Sequence, residues 1–213
     1  MIRIHDKGAR LGAALAVPKN PYGVVVFAHG SGSSRFSPRN QFVADRLGES
    51  GFATLLTDLL TEAEERVDRT TSEFRFNIPL LAERLLAATD HVRTAFEDAP
   101  LPVAYFGAST GAAAALVAAS RRPKEIFAVV SRGGRPDLAV DALVRVEAPT
   151  LLIVGSLDTQ VIELNRRAQR AMRCKTELAL VPGATHLFEE AGTLDAVADL
   201  AARWFLRNVK AGG

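Results

Sequence analysis

Val103-Ala104-Tyr105-Phe106-Gly107-Ala108-Ser109-Thr110-Gly111 runs directly into Ala112-Ala113-Ala114-Ala115-Leu116-Val117-Ala118-Ala119. An apolar run of strand length stops at a glycine-bracketed serine, and the alanine-rich run behind it predicts a helix. The G-x-S-x-G pattern thus sits in the strand, sharp turn and helix context that a nucleophile elbow requires. Such a turn strains the backbone at the serine, and the flanking glycines remove side chains that would collide where strand and helix nearly touch. Ser109 would then project its hydroxyl at a helix N-terminus, where free N–H groups favour negative charge. An ordinary tight turn that happens to hold a serine has the same composition, because glycine, serine and alanine abound in turns. A serine hydroxyl needs a base, so the histidines decide between the two.

Upstream, Val24-Val25-Val26-Phe27-Ala28 is a continuous apolar run, the pattern of a strand buried on both faces inside a parallel sheet. It opens into His29-Gly30-Ser31-Gly32-Ser33-Ser34. A dinucleotide loop is excluded, because Arg35 stands where the third glycine belongs, and no G-x-x-x-x-G-K-[ST] occurs anywhere. An oxyanion loop fits, since the loop after such a strand supplies the second backbone N–H in elbow-type folds. A plain surface turn is the other reading. Ser37-Pro38 offers an N-cap followed by proline at the first helical position, and Gly51 ends that helix. Phe52 to Leu56 is the next buried strand, ending at Thr57-Asp58. Before all of these, Ile2 to His5 and Leu11 to Val17 read as a hairpin. Strand, helix and strand in alternation predict an α/β fold: a mostly parallel central sheet with helices on both faces, one domain over residues 1–213.

Leu59 to Phe76 is densely charged and leaves the carboxyl end of a strand, the rim where α/β sheets bind ligands. It reads either as a small flap with Phe74 and Phe76 as apolar contacts, or as a solvated excursion. Asn77 to Phe96 carries helical periodicity. Ile126 to Val130 is another buried strand, opening into Ser131-Arg132-Gly133-Gly134-Arg135. Only Pro136 to Ala148 separates it from the next strand, which excludes a large cap domain there. Arg132 or Arg135 could bind a substrate carboxylate in a bidentate fork, or simply belong to a charged surface turn. Thr150 to Val154 delivers Gly155-Ser156-Leu157-Asp158; a helix follows from Val161 to Met172. Glu177 to Val181 delivers Pro182-Gly183-Ala184-Thr185-His186, and Leu194 to Val209 is an amphipathic closing helix.

Composition narrows the function classes. The 213 residues suffice for one sizeable core, and a formal net charge of +2 with no basic, aromatic-interleaved cluster argues against nucleic acid. A single cysteine, Cys174, cannot form an internal disulfide. No apolar h-region and no membrane-spanning run is present, so a cytoplasmic location is the default expectation.

Four histidines allow elimination. His5 lies in the first strand, His29 precedes the glycine-serine loop and His91 is in mid-helix. His186 alone sits in a loop after a late strand, downstream of Ser109 and Asp158. Asp158 also reads as a helix N-cap, and Asp137 and Asp141 are rival acids. Asp158 is preferred because it directly follows a buried strand. His186-Leu187-Phe188-Glu189 lacks the second histidine of a zinc motif, and no metal is expected. In the order Ser, Asp, His, the three would act as nucleophile, orienting acid and base.

On these residues the chain resembles the α/β-hydrolase superfamily, and more narrowly the dienelactone-hydrolase-related group. The resemblance is carried by His29-Gly30-Ser31-Gly32, the Ser109 elbow, Gly155-Ser156-Leu157-Asp158 and Gly183-Ala184-Thr185-His186-Leu187-Phe188. It implies oxyanion donors at the backbone N–H groups of Thr110 and Ser31, with Gly32 a rival for the second. Gly32, Arg132 and Phe76 are the candidate substrate-binding residues. Dienelactone hydrolases proper use a cysteine nucleophile; Ser109 stands there in this chain, which favours ordinary ester chemistry. The expectation is a serine esterase that works through an acyl-enzyme on a small-molecule ester, without metal or organic cofactor. A non-catalytic binding protein on the same scaffold, and an acyltransferase, are the alternatives.

Overall fold

The computed structural model describes residues 2–209. Eight strands form one sheet: β1 (Ile2–Asp6), β2 (Ala9–Ala16), β3 (Val24–Ala28), β4 (Ala53–Thr57), β5 (Val103–Ala108), β6 (Ile126–Arg132), β7 (Thr150–Gly155) and β8 (Thr176–Val181). Their order is β1-β2-β4-β3-β5-β6-β7-β8. The first hairpin is antiparallel, β2 pairs antiparallel with β4, and every pairing from β4 onward is parallel. The hairpin turns through Lys7 and Gly8, both at positive φ, as a two-residue turn matched to strand twist demands.

Continuous apolar strands become intelligible once the helices are placed. Helices α1 (Pro38–Glu49) and α7 (Thr193–Asn208) cover one face, where Val25, Phe27, Ala104, Phe106, Val130 and Ile153 meet Val43, Leu47, Trp204 and Phe205. On the other face lie α3 (Ile78–Ala95), α4 (Thr110–Arg121), the short α5 (Val140–Leu143) and α6 (Thr159–Ala171). There Val24, Val26, Val103, Tyr105 and Val129 meet Leu81, Leu85 and Leu116. Alternate residues of one strand thus enter opposite cores, and neither face can be polar. Each fully buried Val, Leu or Phe contributes roughly 1.5–3 kcal/mol of transfer free energy. The one polar group in the middle of β5, the Tyr105 hydroxyl, is hydrogen-bonded to Thr89 Oγ1 at 2.7 Å, which removes the penalty of burying it alone.

The charged stretch after β4, which the sequence offers as a small flap or a solvated excursion, is largely helical. It holds the helix α2 (Glu62–Thr71), started by a reciprocal cap: the Thr61 N–H donates to Glu64 Oε2 at 2.7 Å and the Glu64 N–H to Thr61 Oγ1 at 3.2 Å. Periodicity hid this helix, because its only buried residue is Asp68. Ion pairs hold it in place of an apolar stripe. The buried Arg84 of α3 donates to Asp6 Oδ2 and Glu64 Oε1, each at 3.0 Å, and so ties α2 to the sheet edge. Phe74 packs on the core, whereas Phe76 is 52% exposed.

The elbow helix approaches the sheet so closely that side chains are excluded. A Cβ at Gly107 would lie 2.5 Å from Ala112 Cα, and one at Gly111 would overlap the carbonyl oxygens of Ala28 and His29. Backbone cannot yield as a flexible side chain can. Gly111→Ala is therefore expected to cost about 3 kcal/mol, the upper range for overpacking, read as a lowered urea midpoint at unchanged m-value. An unaltered midpoint would contradict this packing.

Candidate active site

Ser109 occupies the turn between β5 and α4 at φ 51° and ψ −119°, a conformation that costs a non-glycine residue about 1–3 kcal/mol. Its neighbours over-determine it. The Ser109 N–H donates to Arg132 O at 3.1 Å, and its carbonyl accepts from the N–H groups of Ala112 and Arg135, each at 3.1 Å. The side chain makes no capping bond to the helix it begins, which leaves the hydroxyl free for other work.

The loop after β3 lies against this turn. A Cβ at Gly30 would sit 3.1 Å from Ser109 Cβ, so the loop backbone passes at contact distance. His29 fixes its shape: Nδ1–H donates to Gly30 O at 2.9 Å, and Nε2 accepts from the Leu59 N–H at 2.9 Å. Acceptance at Nε2 requires the neutral ring, and burial lowers its pKa below the ordinary value of 6.5. The far end of the loop is held by Asp58, which accepts from the Arg35 N–H at 2.8 Å and pairs with the Arg35 guanidinium. Ser31 Oγ and Thr110 Oγ1 are hydrogen-bonded at 3.1 Å, latching loop to elbow. Among the described residues, the N–H groups of Ser31, Gly32 and Thr110 donate to no protein acceptor. Thr110 and either Ser31 or Gly32 are thus available as a pair of donors beside the Ser109 hydroxyl.

Asp158 and His186 meet at the ends of β7 and β8. His186 Nδ1 is 2.6 Å from Asp158 Oδ2, which fixes the proton on Nδ1 and leaves Nε2 to accept. The helix-cap reading of Asp158 and the orienting reading converge in position but not in bonding. It stands at the N-cap of α6, yet its side chain makes no cap bond and turns to the imidazole. The rival acids are engaged elsewhere: Asp137 takes both nitrogens of the Arg135 fork at 2.8 and 2.7 Å, and Asp141 is exposed on α5. The imidazole rests on Gly133, where a Cβ would lie 3.5 Å from both Nδ1 and Cε1. Gly133 follows Arg132, whose carbonyl holds the Ser109 N–H. Among the described residues no hydrogen bond yet joins Ser109 Oγ to His186.

A cleft of about 480 Å³ opens beside this rim, with Ser31, Gly32, Thr110 and the α1 residue Arg39 on one side and α2 with Arg75 on the other. Phe76, expected as a substrate contact, lies outside its wall; the chain turns at Asp68, which accepts from the Phe74 and Arg75 N–H groups and carries Phe76 away. Arg132 is buried at 8% exposure and contributes no atom to the cleft wall. Arg135 is taken up by Asp137. From the sequence His29 was read only as the residue that opens the glycine-serine loop, and Gly133 was given no role; a histidine directly after one buried strand and a glycine pair directly after another are the signals that mark them.

The sequence pattern of the Dienelactone hydrolase family matches residues 11–210. The chain belongs to the dienelactone hydrolase family. A crystal structure of a dienelactone hydrolase from Anabaena variabilis is similar at 51% identity, with a TM-score of 0.95 over 98% of this chain and 97% of that one. Est1E from Butyrivibrio proteoclasticus shares the fold at 18% identity, with a TM-score of 0.81 over 98% of each chain. Proteins from two strains of Mycobacterium tuberculosis, bearing a provisional phosphoribosyl transferase name, are 59% identical over 192 residues, 90% of this chain. The match spans only 42% of those relatives.

His29 gives the site a pH signature. Because burial lowers its folded-state pKa, the unfolded chain binds the extra proton, and stability is lost as pH falls below about 6.5. Urea midpoints measured from about pH 7.5 down to pH 5 should decline in the wild type and decline less in His29→Gln. A flat wild-type profile would contradict a neutral, bonded His29.

Proposed function

We propose that this chain is a hydrolase of carboxylic esters that works through an acyl-enzyme, with Ser109 as nucleophile, His186 as base and Asp158 as its orienting acid. The 2.6 Å contact between His186 Nδ1 and Asp158 supports this reading most, because it leaves Nε2 as the acceptor a serine proton needs. A rotation of the Ser109 hydroxyl or of the half-buried His186 ring completes the remaining contact; such bonds are often long before substrate is bound. Ser109 Oγ then attacks the ester carbonyl carbon as its proton passes to His186. The oxyanion that forms is held by the N–H of Thr110 and that of Ser31 or Gly32. Collapse expels the alcohol, protonated by His186, and water repeats the sequence to free the acid.

The α4 N-terminus and the strained turn serve the same step, placing the hydroxyl where negative charge develops. The phosphoribosyl transferase name carries little weight for this chain, since most of the length of those relatives lies outside the match. The reading of the substrate as a small-molecule ester rests on family membership and on the modest cleft.

Hydrolysis of a panel of short-chain nitrophenyl esters and lactones tests the assignment. The wild type should turn over at least one of them, Ser109→Ala should lose turnover while keeping its circular dichroism spectrum, and Asp158→Asn should lower kcat by about 10⁴-fold through the wrong histidine tautomer. Wild-type rates in Ser109→Ala would overturn the nucleophile. Binding without turnover across the panel would favour a non-catalytic protein, and ester products formed with added alcohol would favour acyl transfer.

A further inference from the structure

A second cleft, of about 570 Å³, lies on the hairpin side of α2, against the antiparallel edge of the sheet. The hairpin contributes Arg3 and Arg10 to its wall, and the start of α2 contributes Glu62, Ala63 and Arg66. Between them the Arg35–Asp58 pair lies on β2 at Gly12, where a Cβ would overlap the Arg35 guanidinium and sit 2.8 Å from Asp58 Oδ2. None of Ser31, Gly32, Ser109, Thr110, Asp158 and His186 belongs to this wall.

Three cations face this cleft without a counter-charge. Ile4 lies opposite Leu11 and both are buried, which puts Arg3 and Arg10 together on the other face of the hairpin as diagonal neighbours. Arg66 faces the cleft from α2. All three are exposed, and among the described residues none of them has an ion pair. The helix adds donors of its own. Its reciprocal cap takes the N–H groups of Thr61 and Glu64, whereas those of Glu62 and Ala63, in the first turn, donate to no protein acceptor among the described residues. A helix N-terminus with free N–H groups favours an anion.

The acids of this wall oppose the cations only in part. Asp58 is already engaged by Arg35, and Glu62 is exposed. Glu65 is half-buried; burial, and after it the charge of Asp58, raises its pKa and so favours the protonated form, which can donate to a ligand oxygen. Donors thus approach from β1, β2 and α2, three directions that a planar carboxylate with two oxygens cannot meet together. A tetrahedral phosphate group, with three oxygens and up to two charges, can.

We propose that this second cleft binds a phosphate-bearing small molecule, held by Arg3, Arg10 and Arg66 and by the first-turn N–H groups of α2, at a site separate from the ester cleft. The binding does not depend on the hydrolase reading, because none of its groups takes part in acyl transfer.

Inorganic pyrophosphate is the probe, titrated calorimetrically into the wild-type protein in about 0.15 M salt, where scattered surface charges are largely screened. Saturable binding of a single pyrophosphate per chain is expected. Arg10→Gln and Arg66→Gln, both at exposed positions that leave the circular dichroism spectrum unchanged, should each lower the affinity about tenfold. Arg39→Gln, in the wall of the ester cleft, and Arg166→Gln, on the exposed face of α6, should leave it as it is. Absence of saturable binding overturns the site. So does a loss in Arg39→Gln that Arg10→Gln does not share, which would put the anion in the ester cleft, and so does an equal loss in Arg166→Gln, which would mark a response to net charge alone. Ester turnover plays no part in these readouts, so a protein that hydrolyses no ester but binds pyrophosphate through Arg10 and Arg66 would keep the site and lose only the hydrolase reading.

Discussion

The contact on which the rest of this structure turns is the one between the end of β5 and the start of α4, where no side chain fits. Ser109 bridges the two at φ 51° and ψ −119°, and the carbonyls of Ala28 and His29 fill the space a Cβ on Gly111 would need. One crowded point thereby joins three strands. β3 brings its loop within contact of the serine, β6 accepts the serine N–H through Arg132, and Arg135 returns a bond to the serine carbonyl. The strain at Ser109 is held locally, and the small-residue character of Ala112 to Ala115 follows from the same closeness.

Around that point, polar groups are divided between those that fasten the scaffold and those left open. His29 bonds through both nitrogens, Asp58 closes on Arg35, Asp68 on Arg75, and Arg84 on two acids. These contacts shape the loop after β3 and the wall made by α2. By contrast, among the described residues the N–H groups of Ser31, Gly32 and Thr110 have no protein acceptor, the Ser109 side chain makes no cap bond, and Arg132 has no ion pair. The open donors and the Ser109 hydroxyl lie together on one rim, where ligand chemistry would complete them.

The parallel sheet was legible because residues such as Val24 to Ala28 and Val103 to Phe106 are apolar at every position, which only a strand covered on both faces requires. The convergence of Asp158 and His186 was legible from chain order and from their places after strands. Other features lay beyond pattern reading. Helix α2 has an ionic rather than an apolar anchor, so no 3.6-residue stripe announces it, and Phe76 was assigned to a cleft from which the Asp68 turn removes it. Arg132 was visible as a charge leaving a strand; that it is buried beside Phe188 and, among the described residues, has no ion pair depends on tertiary packing, which local sequence does not express.

The central claim is that Ser109 is the nucleophile and that the neighbouring N–H groups face the oxygen its attack creates. A crystal structure of the protein after reaction with a fluorophosphonate measures both at once. The account predicts phosphorus bonded to Ser109 Oγ, with a phosphonyl oxygen within hydrogen-bonding distance of the Thr110 nitrogen and of the Ser31 or Gly32 nitrogen. An unmodified Ser109, or an adduct whose oxygen points into solvent away from both donors, would contradict it.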